Sequence, residues 1–169
     1  MFNRRRASLP DFIYAAATQP PLAASVLETA ADTELWLAAW PQKLGIIGAE
    51  VCDFVEWADF LRGAWDSESR TLTLTFVNPK LEALIFQFPA DYDETLILMI
   101  RERIDRSVVF QQFTELPSGG IARGQVRRNA DESLFTQIIA DATPAPEDQE
   151  VLWNLEADLR DAAGLNGVE

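Results

Sequence analysis

The chain has 169 residues, 48% of them hydrophobic, which suits one soluble domain with a real core and is far from a disordered composition. It carries 14 basic and 27 acidic residues, a formal net charge of −13, so it has no electrostatic drive to coat a phosphate backbone, and nucleic acid is not expected as a partner. With no histidine and one cysteine, Ser-His-Asp and Cys-His catalysis, His-containing zinc sites, thiolate clusters and an intrachain disulfide are all excluded.

Residues 1–20 read as a basic, proline-punctuated arm containing Arg4, Arg5 and Arg6. The apolar run Phe12–Ala17 is too short for a signal-peptide core. No stretch approaches the roughly 20 apolar residues of a membrane span, and the expected location is the cytoplasm. Residues 21–169 are expected to form a single domain. Pro21–Ala31 is Ala-rich and predicts a short helix. Asp32 is placed to cap a second helix, Thr33–Trp40, with Trp36 and Trp40 on one core-facing side and Pro41 as its stop.

Gly45–Arg62 predicts an amphipathic helix, because Val51, Phe54, Val55, Ala58 and Leu61 recur at helical spacing. Cys52 falls among those residues and reads as a small buried hydrophobe. Glu50, Asp53, Glu56 and Asp59 step by three and rotate around the axis without converging, which describes a solvated face rather than a metal or acid/base site. Leu61–Val77 predicts a hairpin turning at Asp66-Ser67-Glu68-Ser69, with Leu72, Leu74 and Phe76 alternating with threonines. Asn78-Pro79 turns the chain into a third strand, Glu82–Phe88. For Asp91–Arg106 the even-numbered apolar residues would suit a strand. Acids at its start and arginines at its end match a helix dipole and favour a helix, with Leu96, Ile100 and Ile104 buried.

Val108–Ala140 is the centre of the reading. Pro117-Ser118-Gly119-Gly120 is a strong turn signal between runs rich in β-branched and aromatic residues. Pairing Leu116 with Ile121 puts Phe110, Gln112 and Thr114 on one face with Arg123, Gln125 and Arg127. Val109, Phe113, Ala122 and Val126 then take the other. Asn129-Ala130-Asp131-Glu132 leads into a third strand, Leu134–Ala140. Arg123, Arg127, Gln112, Gln125 and Thr114 form the candidate interaction patch. Its arginines either balance neighbouring carboxylates or grip an acidic group. After Thr143-Pro144-Ala145-Pro146 a final helix, Glu147–Ala163, shows a stripe of Val151, Leu152, Leu155 and Leu159 with Trp153 to one side, and Gly164 stops it.

The fold class is therefore α+β, a curved antiparallel sheet of about six strands in two three-strand units, backed by N-terminal, middle and C-terminal helices. That element order over residues 45–163, with the small size and acidic charge, resembles the type III secretion chaperone-like domains. The resemblance implies a non-catalytic, often dimeric protein-binding domain and transfers no particular residue. No nucleotide-binding glycine motif is present, no pair of carboxylates is singled out, and no cofactor is expected. The expected function is a non-enzymatic protein-interaction module. The alternative is a small-molecule binder with an apolar pocket between sheet and C-terminal helix. A homodimer is expected because Thr71–Val77 carries no Lys or Pro to protect it if it lies at a sheet edge.

Overall fold

The structure, a computed structural model, describes residues 8–165. It is α+β, with ten strands in three antiparallel sheets and three α-helices among the described residues. By contact the chain divides into two compact units, Met1–Ile104 and Asp105–Glu169, where the sequence predicts one domain over 21–169. Arg4, Arg5 and Arg6 lie outside the described residues.

The first unit begins with a short helix, α1 (Asp11–Ala15), followed by β1 (Ala23–Val26), β2 (Leu35–Ala39), β3 (Lys43–Gly48) and β4 (Cys52–Glu56). These four strands form an antiparallel meander in the order β1-β2-β3-β4. Strands and their connections replace the helices expected over 21–31, 33–40 and 45–62, and for β2 and β3 the reason is burial on both faces. Leu37, Ala39 and Leu44 point into the main core, while Ala38, Trp40 and Ile47 point the other way, into a second cluster with Ile13 of α1. A strand covered on both sides loses its polar alternation and reads as an apolar run, which periodicity cannot separate from a helix. Trp36 of β2 and Trp40 just after it lie on the same side, Trp40 buried and Trp36 half-buried. Gly45 is demanded by packing, since a Cβ there would sit 2.6 Å from Cζ3 of Trp40. Cys52 is exposed rather than buried, because the segment is an edge strand and not the inner face of a helix. Glu50, Asp53, Glu56 and Asp59 are all exposed, as a solvated face requires.

A 3-10 turn at Trp57–Asp59 leads into β5 (Phe60–Asp66), β6 (Thr71–Phe76) and β7 (Leu84–Gln87), a second meander in the order β5-β6-β7. The Asp66–Ser69 turn forms as expected, with Asp66 accepting the backbone N–H of Glu68 at 3.0 Å. Leu72 and Leu74 are buried. β6 is the central strand of its sheet, so it offers no free edge, and the expected exposure of Thr71–Val77 does not arise.

Helix α2 (Glu94–Arg106) closes this unit, and Leu96, Ile100 and Ile104 are buried in one cluster with Leu37, Phe60, Leu72 and Leu74. Its cap is Asp93, whose carboxylate accepts the Thr95 N–H at 2.9 Å, rather than Asp91. Both sheets and α2 thus share one core.

The second unit is a hairpin, a third strand and a helix. β8 (Val108–Glu115), β9 (Ile121–Arg128) and β10 (Leu134–Ala140) form a sheet in the order β10-β9-β8. Helix α3 (Gln149–Ala162) packs Leu155 and Leu159 against Ala122 and Val126. The approach is close at Gly124, where a Cβ would lie 2.6 Å from Leu159 Cδ1 and 3.1 Å from Leu155 Cγ. Gly119 and Gly120 adopt φ of 101° and 87° in the hairpin turn, and Gly164 ends α3 at φ 68°.

Truncating Ile100, which is 0% exposed, removes atoms from the shared core of the first unit. Ile100→Ala should lower the free energy of unfolding by about 2–5 kcal/mol, read as a shifted midpoint in urea with the slope unchanged.

Candidate functional site: the edge hairpin of the second unit

The hairpin is positioned by one carboxylate. Asp148, just before α3, accepts the Ser118 N–H at 2.9 Å, the Ser118 hydroxyl at 2.5 Å and the Ala145 N–H at 2.8 Å. The last is the reach-back half of a capping box. The first two tie the tip of the β8–β9 turn to the start of the helix that covers the sheet. Asp148 is the one buried acid among the described residues, and the Ser118 hydroxyl bond is the largest cause holding its pKa below the ordinary range. A carboxylate saturated in this way is structural, since proton transfer or metal binding would have to break the bonds that fold the unit.

The five residues of the expected patch are not brought together. Glu115, not Leu116, pairs with Ile121, one residue away from the expected register. A shift of one residue turns a strand's side chains to the other face. Gln112 lies opposite Gly124 and Thr114 opposite Ala122, so both belong to the α3 face. They line a groove of about 220 Å³ with Val151, Asn154, Leu155 and Asp158. That volume is below the roughly 300–1,000 Å³ of typical ligand sites, and the lining is largely polar, unlike the apolar pocket expected between sheet and helix.

Arg123 and Gln125 share the opposite face with Gln111 and Phe113. Arg127 follows them by alternation but is 0% exposed, donating to the Ser107 hydroxyl, so its guanidinium does not reach the surface. Gln125 is also buried, its Nε2 donating to the side-chain Oε1 of Gln111 at 3.5 Å. Arg128 pairs with Glu132 at 3.4 Å on the surface.

Sequence reasoning gives no weight to the residues the structure leaves open. Val109, Phe110 and Phe113 of β8 are 46%, 43% and 58% exposed, with Ile121 of β9 at 46%. Phe110 lies opposite Val126 on the α3 face and Phe113 opposite Arg123 on the other, so β8 displays apolar side chains to both sides. Its outer edge pairs with no other strand in the sheet. One signal is present in the sequence: Val108–Thr114 has no charge, Pro or Gly in a chain that is 24% charged. Another groove, about 380 Å³ and mostly apolar, lies between Pro144, Pro146 and Trp153 at the start of α3.

No protein-family model matches the chain, and no curated protein matches it. Among solved structures it is similar to the crystal structure of the FERM and C-terminal domain complex of Drosophila Merlin, at 17% identity and a TM-score of 0.42. The match covers 50% of this chain, which spans 28% of that one. No helix among the described residues is long and apolar enough to cross a membrane.

Asp148 makes a pH prediction. Its folded pKa is depressed, so its contribution to stability is full above the ordinary carboxylate value near ~4 and is lost as pH falls through the folded value. Asp148→Asn should be less stable than the wild type at neutral pH, and the gap should close in acid. A gap in urea midpoint that does not change with pH would contradict this.

Proposed function

We propose that this chain is a non-enzymatic protein-interaction module of the cytoplasm. Its β8–β9 hairpin docks other polypeptides, copies of itself included, and it uses no cofactor. The observation supporting this is an exposed, uncharged edge strand: eight residues, Val108–Glu115, with Val109, Phe110 and Phe113 open to solvent and the one charge, Glu115, at its end. An edge strand presents unpaired N–H and C=O groups, and proteins ordinarily blunt it with Lys, Pro or shortness. β8 has none of these. Such an edge binds extended segments by main-chain hydrogen bonds while side-chain contacts select the partner.

The net charge of −13 supports the same reading, because an acidic module keeps a complex soluble and disfavours unspecific association. The chaperone-like reading rests on an element order expected over residues 45–163: a helix, three strands, a helix, three strands and a helix. Strands take the place of the first helix, and three strands, a helix, three strands and a helix follow over residues 60–162.

A photo-crosslinking residue at position 113 tests the proposal in the expressing cell, with exposed Glu156 of α3 as the control site. Discrete protein adducts are expected from 113, lost when Val109 and Phe110 are both changed to Lys. No adduct from 113, or the same adducts from 156, would remove the reading.

A further inference from the structure

We propose that β8 pairs antiparallel with β8 of a second copy of this chain, with Gln111 on the two-fold axis, so that two three-stranded sheets join into one of six strands. This rests on the interaction-module reading and names its partner.

Comparison of the sheet edges singles out β8. β1 and β7 are four residues each. β4 carries Asp53 and Glu56, and β5 carries Arg62 and Asp66, so both hold charge along the edge. β10 is uncharged but half-buried along its whole length. Among the edge strands of the described residues, β8 alone is both long and open, and its one charge, Glu115, stands at its end. Two molecules of net charge −13 repel, so a stable contact between copies needs a segment that adds no further like charge. Val108–Thr114 is such a segment, and it has the composition from which strand pairs form readily.

Self-pairing also fixes the register. Opposite residues of an antiparallel pair point to the same face, so a strand meeting its own copy must set one residue against itself. Gln111 is the midpoint of Val108–Thr114. With Gln111 on the axis, Phe113 stands opposite Val109 of the second copy, and Phe110 opposite Gln112, each of the latter two on the α3 face. Exposed apolar side chains then meet one another, the two Gln111 amides can hydrogen-bond across the axis, and Glu115 falls outside the paired segment. The irregularity between Val108 and Phe110 leaves Val109 without a β9 partner at one end of β8, and Phe110–Glu115 runs in regular register. The symmetric contact closes at two copies. Pairing β8 of one molecule with β10 of the next would instead be head-to-tail, building a ring or an open filament rather than a pair.

The experiment uses the full chain with Cys52→Ser, which removes the native thiol, and adds Gln111→Cys or Gln112→Cys. On the axis, the two thiols introduced by Gln111→Cys face each other at a Cα separation of about 4.5–5.5 Å, within disulfide reach. The thiol introduced by Gln112→Cys faces position 110 of the second copy in this register and is beyond reach of its counterpart. Mild oxidation should therefore link the Gln111→Cys variant into a dimer and leave the Gln112→Cys variant unlinked. Light scattering should give a dimer for the wild type. Gln111→Lys, which sets two like charges directly opposite, should weaken it by at least about tenfold while leaving thermal unfolding of the monomer unchanged. A monomeric wild type at high micromolar concentration, a linked Gln112→Cys without a linked Gln111→Cys, or growth into polymers would overturn the proposal. A monomer that still gives adducts of other masses from position 113 would overturn this inference and leave the module reading standing; a monomer with no adducts would end both.

Discussion

The bonds from Ser118 and Ala145 to Asp148 set the geometry of everything that follows in the second unit. A hairpin of eight-residue strands has little to hold it on its own, since two-stranded ribbons are marginal in water. Here its tip is fastened to the residue just before α3, and its middle is pressed against Leu155 and Leu159 at Gly124. The turn and the helix start share one carboxylate, so losing Asp148 releases both at once. The price of this arrangement is a buried ionised group, offset by three hydrogen bonds to its charged form.

That fastening explains how an unprotected edge can be kept in a folded protein. The helix covers one face of the sheet and the turn is fixed, so β8 is held in place, with its outer hydrogen-bonding edge and the exposed side chains of Val109, Phe110 and Phe113 left open. A mobile strand would lose ordering entropy on pairing; a fixed one loses little. Arg123 and Arg127 of β9 then have a different role from the one their clustering suggests. Arg127 lies inside, bonded to Ser107, and Arg123 is half-buried beside Phe113, so they build the sheet and do not form its exposed face.

Residues 60–140 are legible in the sequence wherever one face of an element meets water. Leu72 and Leu74 alternate with threonines, α2 has its dipole charges, and Leu134–Ala140 coincides with β10 to the residue. Thr33–Trp40 reads as a helix because β2 is buried on both faces, and a segment without a wet side has no period to read. The spacing of Val51, Phe54, Val55 and Ala58 imitates a helical stripe across what is a turn, an edge strand and a 3-10 turn. At the site, a single-residue error in the hairpin register exchanges the faces of Gln112 and Thr114. The turn chemistry locates Pro117–Gly120 correctly but does not say which residue closes the ladder. The missing charge in Val108–Thr114 is the readable signal, and it becomes meaningful only once β8 is known to be an edge.

Residue-resolved hydrogen exchange along β8, measured at low and high protein concentration, tests the central claim most directly: that this strand is an open ladder awaiting a second strand. The account predicts an alternating pattern in dilute solution, with the amides directed at β9 protected and those directed outward exchanging freely, and protection of the outward set as concentration rises. Uniform protection of Val108–Glu115 in dilute solution, or outward amides that stay unprotected at every concentration, would contradict it.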